Sequence, residues 1–362
     1  MQDAGRESHK PHGSVALESK PKLLALETLR GFAALLVVAD HSIAIRLEKT
    51  GQIDAPLLAF GYALGTLGVA TFFIISGFVM IHAHGHEFGN RSAPGRFFDK
   101  RISRIVPLYW FMTSAYAVNL ILTSRSPSLG EFIKSLLFIP YQPVGDPFGH
   151  PVLGQGWTLN YEAFFYLIFG LCLFARNGLP LVFAFFVLTI SCGLIGVFPE
   201  KTIQDFLSSP ICGYFLLGIL FGMARKAVGV RINFYQGIIG VAVLFATSSV
   251  AIFYHPDLED FIVPLCAFLT AGTCIFCSDE NIDLASAFVS KKMGAITYAV
   301  YLTHTLLIAQ FAKRFTSIPF ALFCIAMIPV CIIGGYIVQI YIEKPLIGGW
   351  KSMVRRKRLP AG

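Results

Sequence analysis

Charge is what this sequence has least of. Only 14% of its 362 residues are Asp, Glu, Lys or Arg, against roughly 25% in a soluble globular domain. Hydrophobic residues make up 55%. That balance excludes an ordinary water-soluble fold and points to a membrane protein. A cleavable leader is lacking too. Residues 1–22 are polar, contain Lys10, Lys20 and Lys22, and hold no short apolar core before a small-residue cleavage site. The first apolar run is therefore expected to stay in the mature chain. There is no disulfide framework: Cys172, Cys192, Cys212, Cys266, Cys274, Cys277, Cys324 and Cys331 all lie in or beside apolar runs. Cys274 and Cys277 form a C-x-x-C inside such a run, which reads as inert core thiols ahead of redox or metal chemistry. No G-x-S-x-G elbow is present, so a serine acyl-enzyme of hydrolase type has no support. No second domain, low-complexity tract or internal repeat stands out. The formal net charge is +8, yet a phosphate-tracking patch is missing. The basic residues sit in short loops and at the two ends, which argues for membrane topology and against nucleic acid as a partner.

Long apolar runs are what the sequence has in their place. A span needs roughly 20 mostly apolar residues. The runs predict spans at 26–47, 62–83, 104–123, 157–175, 179–197, 208–226, 235–254, 259–278, 295–312 and 318–342. The expected fold is all-α and polytopic, with about ten transmembrane helices. Glu131–Pro140 reads as an interfacial or re-entrant segment. With ten spans, about 21 Lys and Arg fall on the side of the two termini and about 7 on the other, with Arg30 inside the first span. That bias predicts both termini in the cytoplasm. Three segments follow: a cytoplasmic tail over 1–25, a transmembrane domain over 26–346, and a basic cytoplasmic tail over 347–362. The last is expected to anchor on anionic membrane lipid.

Ionisable groups inside spans are functional candidates by default. Arg30 and His41 lie on the first span. At 100° per residue they differ by only about 20° in azimuth and are separated by roughly 16 Å along the axis. One face thus carries a cation near the cytoplasmic edge and an imidazole near or beyond the midplane, which suits a long substrate with an anionic head. His41 is a candidate general base, or a histidine hydrogen-bonded for packing. Asp40 points about 100° away and ranks second. Arg101 and Arg104 share one helical face and form either a phosphate clamp or plain cytoplasmic charge. Glu162 lies about 7 Å below the interfacial Trp157. It is expected at the depth of His41, either as the acid that orients it or as a buried Glu bonded to another helix. His304 reaches the midplane of the ninth span as a packing or substrate-positioning residue. His82, His84, His86 and Glu87 give only a weak metal signal, so no metal site is predicted. Gly218 and Gly222 form a G-x-x-x-G helix-packing pattern.

Together these residues resemble the acyltransferase-3 family of integral membrane O-acyltransferases. Leu29-Arg30-Gly31 followed by His41 resembles its R-x10-H signature. Gly68-Val-Ala-Thr-Phe-Phe-Ile-Ile-Ser76-Gly77-Phe78 is similar to its G-V-x-x-F-F-x-I-S-G-F block. Arg101-Ile-Ser-Arg104-Ile-Val-Pro107-Leu-Tyr-Trp resembles R-x-x-R-I-x-P-x-Y-W, and Trp157-Thr-Leu-Asn-Tyr-Glu162 resembles W-S/T-L-x-x-E. Tyr298-Ala-Val-Tyr301-Leu-Thr-His304 and Glu343-Lys344-Pro345 are similar to its last two blocks. The six blocks stand in family order. The resemblance implies an acyl-CoA donor, with an expectation of acetyl-CoA, bound from the cytoplasm. It implies His41 as the catalytic residue, with Arg30, Arg101 and Arg104 in donor binding. Glu162 is the expected acidic partner of His41, and Ser76, Trp157, Tyr301 and His304 are candidates for positioning substrate. The wording of the blocks is similar to stand-alone members that acetylate exopolysaccharide, which implies a lipid-linked or surface polysaccharide acceptor at the bacterial inner membrane. Composition alone fits a rival class, a transporter or flippase of a lipid-linked saccharide. Consumption of acetyl-CoA discriminates the two.

Overall fold

The structure, a computed structural model, describes residues 23–51, 54–123, 126–143, 149–229, 231–280 and 282–358. Most of the expected N-terminal tail and the last four residues lie outside these. The elements in chain order are α1 (Leu24–Thr50), α2 (Ala55–His84), α3 (Ala93–Leu122), α4 (Leu129–Leu136), α5 (Trp157–Cys172), α6 (Gly178–Leu194), α7 (Lys201–Ser208), α8 (Pro210–Ala227), α9 (Phe234–Tyr254), α10 (Glu259–Ile275), α11 (Leu284–Arg314), α12 (Phe320–Val338) and α13 (Lys344–Arg358). A five-residue π-turn, Gln339–Glu343, joins α12 to α13. The β-structure among the described residues is one pair of two-residue strands, Ile232–Asn233 beside Cys277–Ser278. The chain is all-α and polytopic.

Local sequence accounts for where the helices begin and end. Asp54 caps α2 by accepting from the Leu57 N–H, with Pro56 in the first turn, where its missing N–H costs nothing. Ser128 and Glu131 close a capping box on α4. Asp283 accepts from the Ser286 N–H at the start of α11. Gly51 ends α1 at φ 67°, a left-handed conformation that glycine adopts without strain.

Among the described residues, eight helical stretches are long and apolar enough to cross a bilayer. The runs at 157–175 and 179–197 give shorter helices, α5 of 16 residues and α6 of 17. A 3-10 turn, Gly154–Gly156, leads directly into α5. The interhelical hydrogen bonds sort the connections into two rims. At one rim the Leu24 N–H donates to Asp279 (3.0 Å), the Gly89 N–H to the Leu173 carbonyl (2.9 Å), and Arg225 to the Cys277 carbonyl (3.2 Å). At the other, buried Arg46 of α1 donates to the carbonyls of Phe315, Thr316 and Ile318 in the α11–α12 connection. The end of α5 therefore meets the α2–α3 connection, the ends of α8 and α10 meet near the start of α1, and the far end of α1 meets the α11–α12 connection.

The segment Glu131–Pro140, expected at the interface or re-entrant, falls largely in α4 (Leu129–Leu136), which packs its C-terminal end on the middle of α3. Trp110 Nε1 donates to the Leu136 carbonyl (2.8 Å) and the Tyr109 hydroxyl to that of Ser135 (3.1 Å). The basic segment expected as a tail from 347 is helical through Arg358, and its Trp350 meets Trp110 edge-on at 6.2 Å.

The core sits where α2 crosses its neighbours, and it is rich in aromatic rings: Phe165 stacks on Phe215 at 4.0 Å, and Phe186 packs against both. Outward-facing residues such as Leu188, Ile239, Phe261, Ile325 and Ile333 are exposed and apolar, the surface that lipid requires. Glycines let α2 and α8 touch. A Cβ at Gly218 would strike the Ile74 carbonyl oxygen, and one at Gly77 would strike that of Phe215. Gly218→Val is expected to destabilise the protein by about 1–3 kcal/mol or more through overpacking. Its thermal midpoint in detergent should fall clearly below that of Gly213→Val, a position on the same helix where a Cβ meets nothing within 4 Å. Equal midpoints would contradict the close crossing.

Candidate active site

Five helices enclose a cavity of ≈ 120 Å³. The face of α1 contributes Arg30. α2 contributes Phe72, Phe73 and Ser76, and α3 contributes Arg101 and Arg104. α5 presents Thr158, Glu162 and Tyr166, and α11 presents Tyr298 and Tyr301. Residues from five separate sequence blocks thus share one space.

The charges in this cavity are unbalanced. Three guanidinium groups face it against one carboxylate, Glu162. Glu162 accepts a hydrogen bond from the Tyr166 hydroxyl. Arg30 pairs with Glu27 at 3.4 Å on the same helix. Arg101 lies over the rings of Tyr166 (5.0 Å) and Phe97 (5.6 Å) and makes no ion pair among the described residues. Such a set favours an anionic ligand, because guanidinium forks match phosphate and carboxylate oxygens two at a time. Ser76 adds a buried hydroxyl on the cavity wall that has no hydrogen-bond partner among the described residues. A buried polar group left unsatisfied costs free energy, so an unpartnered hydroxyl facing a cavity is set to meet a ligand.

The tyrosines are fixed. Tyr298 donates to the Ile105 carbonyl (2.8 Å), tying α11 to α3. The Tyr301 hydroxyl lies 2.6 Å from Thr158 Oγ1 and 3.1 Å from the Gln155 carbonyl. Gln155 in turn donates to the Leu302 carbonyl (2.8 Å) and accepts from Thr305 (3.1 Å). This network anchors the start of α5 on α11 and so sets the positions of Thr158 and Glu162.

His41 lies beyond Tyr301. The Tyr301 ring is 5.8 Å from that of His304, and His304 meets His41 edge-to-face at 4.9 Å. His41 Nδ1 is 2.9 Å from the Val37 carbonyl oxygen. A carbonyl only accepts, so Nδ1 carries the hydrogen, and in the neutral ring Nε2 keeps its lone pair. The His41 side chain keeps about a third of its surface open (35%). His304 is fully buried. Its Nδ1 donates to the Tyr301 carbonyl (2.7 Å), and its Nε2 has no partner among the described residues.

Arg30, Arg101, Arg104, Ser76, Glu162 and Tyr301 therefore come together around one cavity. His304 and His41 follow in line behind Tyr301. Trp157 packs edge-on against Tyr161 at 6.1 Å and does not line the cavity. Glu162 and His41 do not meet among the described contacts, because Tyr301 and His304 stand between their helices. The carboxylate beside His41 is Asp40, 3.5 Å from Nδ1. The sequence signal for it was adjacency alone. Gly65 of α2 makes its room, since a Cβ there would collide with the Asp40 carboxylate. Glu343 sits in the π-turn, a geometry frequent at functional sites, with a buried Oε2 that has no partner among the described residues. In the loop after α2, Glu87 accepts from His84 (2.6 Å) and Arg96 (3.0 Å). Burial pushes its carboxyl up, but these two bonds outweigh burial and hold it below the usual range. Among the described residues no group of three or more His, Cys, Asp or Glu side chains is arranged to hold a metal.

Comparison with known proteins bears on the chain as a whole. An acyltransferase domain family matches residues 23–339. The chain is 28% identical over 341 residues to the exopolysaccharide production protein ExoZ of Rhizobium meliloti (strain 1021), covering 87% of this chain and 96% of that protein. It is 23% identical over 367 residues to the acyltransferase MdmB of Streptomyces mycarofaciens, covering 90% and 91%. No solved structure matches it significantly.

Proposed function

We propose, from the premise that the chain belongs to the acyltransferase-3 family, that it transfers an acetyl group from acetyl-CoA to a hydroxyl of an exopolysaccharide or other cell-surface sugar at the bacterial inner membrane. The observation that carries this reading is the single cavity lined by Arg30, Arg101, Arg104 and Ser76, from which Tyr301 and His304 lead to His41. The similarity to ExoZ supports the acceptor class. The excess of Lys and Arg on the side of the termini supports a cytoplasmic donor entrance.

In this mechanism the donor's phosphates sit against the arginine wall, with Arg30 and Arg104 as the groups that face the cavity alone. Charge-assisted hydrogen bonds there are strong because the surroundings are apolar. The thioester end extends along the face of α1 toward His41. His41 Nε2 takes the proton from the acceptor hydroxyl. The oxygen attacks the thioester carbonyl, the carbon–sulfur bond breaks, and His41 returns the proton to the departing thiolate. The Val37 carbonyl and the Asp40 carboxylate hold the imidazole in the tautomer and orientation this needs. Positioning of two substrates in one dry site supplies much of the rate.

Mass spectrometry of cell-surface glycans, with and without the gene, tests the reading in the cell. Loss of acetyl esters from one sugar position on deletion, with restoration by the wild-type chain, is the expected result. An unchanged acetylation pattern would refute it.

A further inference from the structure

Glu27 takes no part in the chemistry above and does not line the cavity, yet it is the carboxylate paired with Arg30. Its side chain is mostly buried, and its Oε2 lies 3.4 Å from Arg30 Nη1. By spacing alone such an i, i+3 pair is ordinary. What sets this one apart is the surface behind the carboxylate. Gly294 of α11 faces Glu27 so closely that a Cβ there would overlap the carboxylate. The crossing of α1 and α11 is fixed around that contact. Thr28 Oγ1 and Ser290 Oγ are 2.8 Å apart, and a Cβ at Gly31 would come within 2.9 Å of the Met293 side chain. The arrangement repeats at the other end of the same helix, where Gly65 of α2 makes room for Asp40 beside His41. Two carboxylates of α1 thus each lie over a glycine of a neighbouring helix and beside one of its two candidate residues.

Two forces act on Arg30 that such a hold opposes. A long cationic side chain near the end of a span turns its head group toward water. Arg104 lines the same cavity, and its like charge repels the Arg30 guanidinium. A carboxylate wedged between two helices counters both. Glu27 engages Nη1 alone among the described hydrogen bonds, so the other guanidinium nitrogens keep their donors for an anion. We propose that Glu27 is a positioning residue: seated over Gly294, it holds the Arg30 guanidinium on the cavity wall in the orientation that receives a ligand's phosphate. That this ligand is acyl-CoA rests on the acyl-transfer reading; the hold on Arg30 rests on α1 and α11 alone.

The full chain, purified in detergent, is titrated with desulfo-CoA. Glu27→Ala should raise Kd at least fivefold, and Glu27→Gln, which keeps an oxygen over Gly294, should raise it less. Gly294→Ala changes no charge and should raise Kd at least threefold by displacing the carboxylate. In Glu27→Ala/Gly294→Ala the added methyl meets no carboxylate. Its Kd should match that of Glu27→Ala alone, and its thermal midpoint should exceed that of Gly294→Ala. In an Arg30→Ala background, Glu27→Ala should change Kd less than twofold. Unchanged affinity in Glu27→Ala overturns the proposal. So does a full further loss in either double variant, which would make Glu27 or Gly294 a packing residue only. A second arm needs no CoA. Phenylglyoxal modifies arginine, and the Arg30 peptide is followed by mass spectrometry. Its rate of modification should rise at least threefold in Glu27→Ala while that of the Arg104 peptide stays unchanged. An unchanged Arg30 rate overturns the hold. A raised rate in a protein whose wild type binds no desulfo-CoA contradicts the acyl-CoA reading and leaves the role of Glu27 standing.

Discussion

His41→Ala is expected to lower kcat for acetyl transfer by roughly 10²–10⁴-fold, the usual contribution of a positioned general base. The protein should still insert and keep its thermal midpoint in detergent. His41 has its hydrogen bonds inside α1, to the Val37 carbonyl and beside Asp40, so its removal frees no partner on another helix. The ring it touches, His304, is held independently by the Tyr301 carbonyl. The loss should therefore fall on kcat and leave KM for acetyl-CoA close to its original value, because the arginine wall is untouched. Asp40→Asn keeps the shape and removes the charge beside Nδ1. It should give a smaller loss in kcat, with the Val37 bond still fixing the ring. Retained acetylation by well-folded His41→Ala would remove His41 from the chemistry.

Arg104→Ala should show the complementary pattern. A hydrogen bond to a charged group contributes about 1.5–3 kcal/mol, so KM for acetyl-CoA is expected to rise roughly 10–100-fold with a modest change in kcat. Arg104→Lys keeps the charge and loses the planar fork. It should recover only part of the affinity, because a lysine acts as a point charge where the guanidinium binds two oxygens. Dependence of binding on ionic strength should flatten in Arg104→Ala and persist in Arg104→Lys. Direct titration with acetyl-CoA, or with desulfo-CoA as a dead-end analogue, measures this without turnover. Unchanged affinity in Arg104→Ala would separate the cavity from the donor.

Much of this site was legible along the chain because a helix has a fixed period. The azimuths of Arg30 and His41 follow from their spacing, and the structure puts them on the α1 face that meets α11 and the cavity. The i, i+3 pairing of Arg101 and Arg104 did the same for α3. The rims were legible from charge, since loops rich in Lys and Arg recur after every second apolar run. What spacing does not encode is which side chain of another helix stands between two candidates. Glu162 and His41 were matched by depth alone, and depth carries no azimuth across helices. The intervening Tyr301 and His304 are placed by the Gln155 network, which couples positions more than 140 residues apart. Asp40 was discounted because adjacent residues point about 100° apart. Its reach to Nδ1 depends on the ring turning back toward Val37 and on the absence of a side chain at Gly65. The π-turn before Lys344 leaves no periodic trace at all, because five residues are too few to set a phase.

The most direct measurement is a single-turnover reaction of the purified chain with acetyl-CoA labelled in its acetyl group and a glycan acceptor. Free thiol and O-acetyl sugar are followed together, for the wild type and for His41→Ala. The account predicts equal amounts of thiol and acetylated sugar from the wild type, and neither above background from the variant. Movement of a lipid-linked saccharide across a vesicle membrane with no acetyl-CoA consumed, equal in both proteins, would contradict it.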